Sequence, residues 1–182
     1  MTTTTVPVLW SAEPYLSTGI ALHVVVHGLP AAQGSKAFKG VNRSGRAILV
    51  EQSKAVKPWR ALVQASVETA MRATGDETLF PLLGPLGIEL CFTMAKPKSA
   101  PKTRITYPIT RPDVDKMVRA CLDSITYART WNDDSQVVEL RAHKVYPAET
   151  PRSLTRTGVT IAVHTLANPT SPALPQRAAL PL

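Results

Sequence analysis

Residues 114–125, VDKMVRACLDSI, carry apolar side chains at Val114, Met117, Val118, Cys121, Leu122 and Ile125. That i, i+3, i+4, i+7, i+8, i+11 spacing marks one face of an α-helix. Such a face has to be buried against another layer, and the rest of the chain offers mainly strands. IALHVVVH (20–27) is a β-rich apolar run closed by Gly28 and Pro30, and LGIELCFTM (86–94), the segment near 136–145 and the run 158–165 read the same way. From Pro58, apolar residues at Trp59, Leu62, Val63, Val67, Ala70 and Met71 predict a second helix that stops at Gly75. Asn42–Gly45 reads as a turn between two short strands. The expected fold class is α/β of the α+β type: one domain with a mixed β-sheet of about four to six strands and two main helices packed on it.

A chain of 182 residues is long enough for one such core. The folded domain is expected over 19–166, between a flexible Thr/Pro-rich segment (1–18) and a Pro/Ala-rich tail (167–182). No apolar run is long enough to span a bilayer and no signal peptide is evident. Cys91 and Cys121 lack metal-ligand spacing and sit among apolar residues, so both are expected as buried reduced thiols and the compartment as cytoplasmic.

Charge divides the chain. Lys and Arg number 21 against 13 acids, a formal +8, which favours a polyanionic partner. Residues 14–50 contain no acid and bring in Lys36, Lys39, Arg43 and Arg46. The connector 95–112 is also acid-free and carries Lys96, Lys98, Lys102, Arg104 and Arg111. Yet residues 111–140 gather six of the 13 acids, chiefly Asp113 and Asp115 at the helix start and Asp133 and Asp134 before the next strand. Aspartates at a helix start cap free N–H groups and complement the dipole. Asp115 also precedes Arg119 by four, the spacing of a surface ion pair. Paired carboxylates equally suit Mg²⁺, a hard ion usually held by one or two carboxylates plus phosphate. Residue types alone leave caps and metal site both open.

The stretch RPDVDKMVRACLDSI, then WNDDSQVVEL, then HKVY resembles the RusA-like Holliday-junction resolvases, small endodeoxyribonucleases. That family has a Pro-preceded D-x-D at a helix start, an Asp later in the helix, then an aromatic residue, D-D-x-Q-V-V and a downstream Lys. The resemblance implies that Asp113, Asp115 and Asp134 are metal-binding and catalytic, with Asp123 structural and Lys144 facing phosphate. The family commonly has Lys where this chain has Arg119, which keeps the charge but practically never deprotonates, so a clamp on phosphate fits better than proton transfer.

The same resemblance implies a homodimer without membrane attachment that resolves four-way junction DNA by paired symmetric nicks in recombination and repair. Its cofactor would be Mg²⁺, with Mn²⁺ as a possible substitute. Two rival readings remain: a non-catalytic DNA-binding module whose acids only cap and pair, and a metal-dependent nuclease acting on another branched DNA or on RNA. His23 and His27 are expected as partly buried structural residues, and Trp131 as a loop anchor.

Overall fold

The computed structural model describes residues 17–34, 36–51 and 53–167. The expected flexible segments thus fall almost wholly outside the described residues. Six strands and two helices run in the order β1 (Ser17–His27), β2 (Lys36–Val41), β3 (Ala47–Glu51), α1 (Val56–Ala73), β4 (Leu86–Thr93), α2 (Val114–Tyr127), β5 (Val137–Val145) and β6 (Gly158–Leu166). Four strands form one sheet in the order β1-β6-β4-β5, while β2 and β3 form a separate antiparallel hairpin. Within the larger sheet β4 and β5 are parallel, and β6 is antiparallel to both β1 and β4. The α+β mixed sheet expected from the sequence is the fold observed.

Both helices cover one face of this sheet. Leu86, Ile88, Leu90 and Phe92 of β4, Val159, Ile161 and Val163 of β6, and Leu22, Val24 and Val26 of β1 alternate onto it and are buried. Trp59, Val63 and Val67 of α1 and Met117, Cys121 and Ile125 of α2 meet them in one core. Burial of each large side chain contributes roughly 1.5–3 kcal/mol, which fixes how α2 lies on the sheet. Gly28 lets the chain pass beneath α1, since a Cβ there would stand 2.8 Å from Leu62 Cδ2 and 3.3 Å from a Trp59 ring carbon. The free thiols of Cys91 and Cys121 are buried, as expected, and burial pushes Cys121 up to about 12.

Helix α1 starts at Val56, which places Pro58 in its first turn, as expected. Three local expectations are corrected. Leu62 is 40% exposed, at the margin of the buried face of α1, and Val114, the first residue of α2, is 36% exposed. His23 and His27 are exposed, since they alternate onto the sheet face that no helix covers. The Asp115–Arg119 ion pair is not formed among the described residues; Lys116 pairs with Asp113 instead, three residues apart.

The end of α2 decides where the second acid pair goes. Ala128, Arg129 and Thr130 donate N–H bonds to Ser124, Thr126 and Ile125 carbonyls, closing the helix with Arg129 in the left-handed region at φ 59°. Trp131 then enters the core, 1% exposed, with its indole N–H on Thr126 Oγ1 at 2.7 Å. It is the anchor the sequence led us to expect. From it the chain turns into β5, which runs back alongside β4.

Candidate active site

Asp113 occupies the N-cap position of α2, with an extended backbone at φ −71° and ψ 138°. Its carbonyl accepts the first helical bond from Met117 N, but its carboxylate makes no cap hydrogen bond. Instead Asp113 Oδ2 lies 2.9 Å from Lys116 Nζ. The hydrogen bond and charge of Lys116 hold the Asp113 carboxyl below the usual range, with help from Arg111 and Lys144, and Asp113 raises Lys116 in return. Asp115, one residue into the helix, is exposed and has no hydrogen-bond or ion-pair partner among the described residues. A cap would turn its oxygens onto the backbone; these carboxylates face solvent.

The segment before them is held from the other end of the sequence. Lys144, on β5, donates to the Thr110 carbonyl at 2.9 Å and the Pro112 carbonyl at 3.1 Å. Its register partner is Phe92, which places it on the helix-covered face, directly under the start of α2. The expectation that Lys144 faces phosphate is therefore revised: at least two of its donors go to the protein's own backbone. Gln33 adds a second tie through its N–H to the Lys116 carbonyl at 3.1 Å. That contact brings the chain leading into β2 against the first turn of α2.

Cations lie beside this turn and along the connector and hairpin segments. Arg111, Lys116 and Arg119 are exposed within or beside the D-x-D turn. Lys98, Lys102 and Arg104 are exposed along the connector, as are Lys39, Arg43 and Arg46 on the hairpin. Lys36 lies on β2. The hairpin turn is built by Asn42, whose Oδ1 accepts from Ser44 N at 3.1 Å and from Arg46 N at 2.8 Å. Lys96 departs from this group. It is ion-paired with Glu149 and packs over the Tyr146 ring at 5.8 Å. It is thus a structural tie between the connector and the β5–β6 loop, not a free phosphate contact.

The second acid pair divides its labour. Asp133 caps the single 3-10 turn Asp134–Gln136 by accepting from Ser135 N at 2.9 Å. Gln136 completes the capping box and donates to the Leu82 and Gly84 carbonyls at 3.0 and 3.2 Å. Asp134 is exposed, with no hydrogen-bond or ion-pair partner among the described residues. Asp123, in mid-helix, is a strut: Arg60 of α1 reaches its Oδ2 at 3.1 Å while stacking 5.2 Å from the Tyr127 ring centre.

The fold brings Asp113, Asp115, Lys116 and Arg111 together, with Lys144 beneath them. It does not bring Asp134 to them, and among the described residues no three His, Cys, Asp or Glu side chains converge as metal ligands. The D-x-D pair alone fits Mg²⁺, which one or two carboxylates can hold. Among the described residues Asp113 Oδ1 has no partner beside the Oδ2 that Lys116 occupies. By sequence Lys116 carries less weight than Arg119 because it lies on a different helical face, yet it is Lys116 that reaches Asp113; Gln136 is not singled out by the sequence reading, although D-x-x-Q is a capping-box signature.

The chain matches the sequence model of the family described as Endodeoxyribonuclease RusA over residues 28–161. It is also 30% identical over 138 residues to the uncharacterized protein YqaN of Bacillus subtilis (strain 168), covering 70% of this chain and 88% of that protein. No helix among the described residues is long and apolar enough to cross a membrane.

Proposed function

This chain belongs to the RusA endodeoxyribonuclease family, a family of Holliday-junction endonucleases, and from that premise we propose that it cuts four-way DNA junctions at the D-x-D turn of α2 with Mg²⁺ as cofactor. The observation that carries the reading is Asp113. It stands at an N-cap position without capping, beside an Asp115 with no hydrogen-bond or ion-pair partner among the described residues, and with Lys116, Arg111 and Lys144 acting on it. A structural aspartate would have satisfied the helix end, as Asp133 does for its own turn.

Asp113 and Asp115 would hold the ion. When bound, a divalent ion there supplies Lewis-acid polarisation of a phosphodiester and a lowered pKa for water, with Mn²⁺ able to stand in. The remaining work falls to the chain's own groups. Lys116 keeps the Asp113 carboxylate oriented and ionised. Arg119, one turn further along the exposed side of α2, suits a clamp on a phosphate oxygen as negative charge moves to the leaving group. Lys39, Arg43 and Arg46 on the hairpin, with Lys98, Lys102, Arg104 and Arg111 on the connector, bind the phosphate backbone by charge and counterion release. Lys144 positions the turn. Two such chains acting as a homodimer would nick two symmetric strands, in recombination and repair.

The test is cleavage of a synthetic four-way junction, alongside linear duplex, flap DNA and RNA, with and without Mg²⁺. Asp115→Asn keeps the size of an exposed side chain and removes one charge. It should abolish cleavage by orders of magnitude while junction binding persists or tightens. Cleavage retained by Asp115→Asn with the same Mg²⁺ dependence would remove the metal from the D-x-D turn. Preference for RNA or flap DNA would move the protein to another substrate class.

A further inference from the structure

Residues 95–112 lead into the D-x-D turn, and the last stretch of this connector turns apolar side chains outward. Ile105, Tyr107 and Ile109 are 61%, 76% and 90% exposed, while Pro108 between them is buried. An apolar cluster this open marks a contact surface more often than a packing element. It is also held in place. Thr106 N–H donates to Glu149 Oε2 at 3.3 Å, and Lys96 pairs with the other oxygen of the same carboxylate. Ile109 N–H closes onto the Tyr107 carbonyl at 2.9 Å, a tight turn about Pro108. Lys144 fixes the next residue through the Thr110 carbonyl at 2.9 Å. The backbone is thus tied to the body of the protein, and the three apolar side chains stand out from it as a fixed ridge. Little ordering entropy opposes a contact made there.

Resting on the four-way-junction reading above, we propose that this ridge reads the branch: Tyr107, flanked by Ile105 and Ile109, inserts beside bases that have lost a stacking neighbour where the arms meet. The surroundings favour nucleic acid over a protein partner. The segment 95–112 has no acid, and Lys98, Lys102, Arg104 and Arg111, all exposed, bracket the ridge. Two copies of it laid together would bring like charges into contact. Cations interleaved with an aromatic and aliphatic wedge hold phosphates while side chains enter the base stack. The same arrangement gives selectivity. Inside a duplex the wedge must first break a stacked step, whereas at a branch the stack is already interrupted, so insertion costs less there. One base stacked on an aromatic side chain changes binding by about 5- to 150-fold. Reach ties the ridge to the cut. Tyr107 precedes Asp113 by six residues, and a fully extended chain spans at most about 3.6 Å per residue, roughly 22 Å in all. At about 3.4 Å per nucleotide, the nick falls within about six nucleotides of the branch.

Binding of the full chain to a four-way junction and to linear duplex of the same sequence, without divalent ion, tests this apart from catalysis. Tyr107→Ala and Tyr107→Ala/Ile109→Ala should weaken junction binding by about 5- to 150-fold and leave duplex binding unchanged, so the preference for the junction falls by the same factor. Tyr107→Trp should keep it. The salt slope of binding should not move, since no phosphate contact is lost. Fluorescence of 2-aminopurine placed next to the branch should rise when wild type binds and stay low with the double variant. The same probe in mid-arm should stay low with both. Because the substituted residues are exposed, Tm should hold, and every variant should sediment at the wild-type mass. Equal losses on junction and duplex would overturn the ridge as a branch reader, and a changed sedimenting mass would assign it to an interface between copies instead. A wild type that binds duplex as tightly as junction overturns the junction reading itself. A preference that survives both variants overturns the ridge alone.

Discussion

Lys144→Met tests whether the cation under the D-x-D turn holds protein or DNA. Methionine preserves the unbranched apolar stem against Phe92 and removes only the ammonium that donates to the Thr110 and Pro112 carbonyls. Hydrogen bonds from a charged donor are worth roughly 1.5–3 kcal/mol each. The Thr110 bond lies at an exposed residue, where water replaces the lost donor, so the pair together should stabilise the fold by about 1–2 kcal/mol. For a domain of this size that lowers Tm by about 2–8 °C. The larger effect should appear in cleavage. The freed carbonyls no longer fix residues 110–112, and a shift of about 1 Å in Asp113 is enough to cost on the order of 100-fold. We expect kcat on a four-way junction to fall about 10- to 100-fold, with junction affinity little changed and the dependence of log K on log salt unaltered. Thermal unfolding, single-turnover cleavage and a salt titration of binding measure the three quantities. An unchanged Tm and kcat with a salt slope shallower by about 0.9 would refute the reasoning and return Lys144 to the phosphate-binding surface.

The same salt titration separates the connector cations: Lys98→Ala/Lys102→Ala/Arg104→Ala should reduce the slope by about 2–3, whereas Lys96→Ala should leave it unchanged and lower Tm, because Lys96 is paired with Glu149. Arg129→Gly relieves a left-handed residue at the end of α2, where glycine is the usual choice, and should raise stability by up to about 1 kcal/mol in urea unfolding; no gain would show that the Arg129 side chain stabilises the turn by other means. The Lys96 hydrogen bond holds the Glu149 carboxyl below the usual value of 4.5. The stability it contributes is present above that value and lost as pH falls through the lower folded one. Melting curves from pH 6 to pH 2 should therefore lose part of their acid limb in Lys96→Met, and an identical acid limb in both proteins would refute the pairing.

Most of the fold was legible because it rests on periodicity, which is local. The apolar spacing in 114–125 gave α2, the short β-rich runs gave the strands, and Asn42–Gly45 gave the hairpin turn, each from side-chain patterns that the backbone period makes unavoidable. Composition pointed to a polyanionic partner, and the family resemblance carried by the D-x-D…D-D order pointed to a nuclease with its acids in one short stretch. What periodicity does not carry is the partner of a long side chain. Lys96 finds Glu149, and Lys144 finds the carbonyls of Thr110 and Pro112, across 53, 34 and 32 residues. Those meetings depend on which strand lies beside which, and the parallel register of β5 on β4 decides them. Exposure at the ends of a helix is likewise tertiary: Val114 belongs to the apolar stripe by spacing but, as the first residue of α2, stays 36% exposed. The acids show the same division. Their types and order are fixed by sequence, but Trp131 docks in the core and turns the chain into β5, leaving Asp134 at the opposite end of α2 from Asp113. A rigid helix about 20 Å long separates residues that the sequence sets side by side as one motif, because a packed helix cannot bend to bring its ends together.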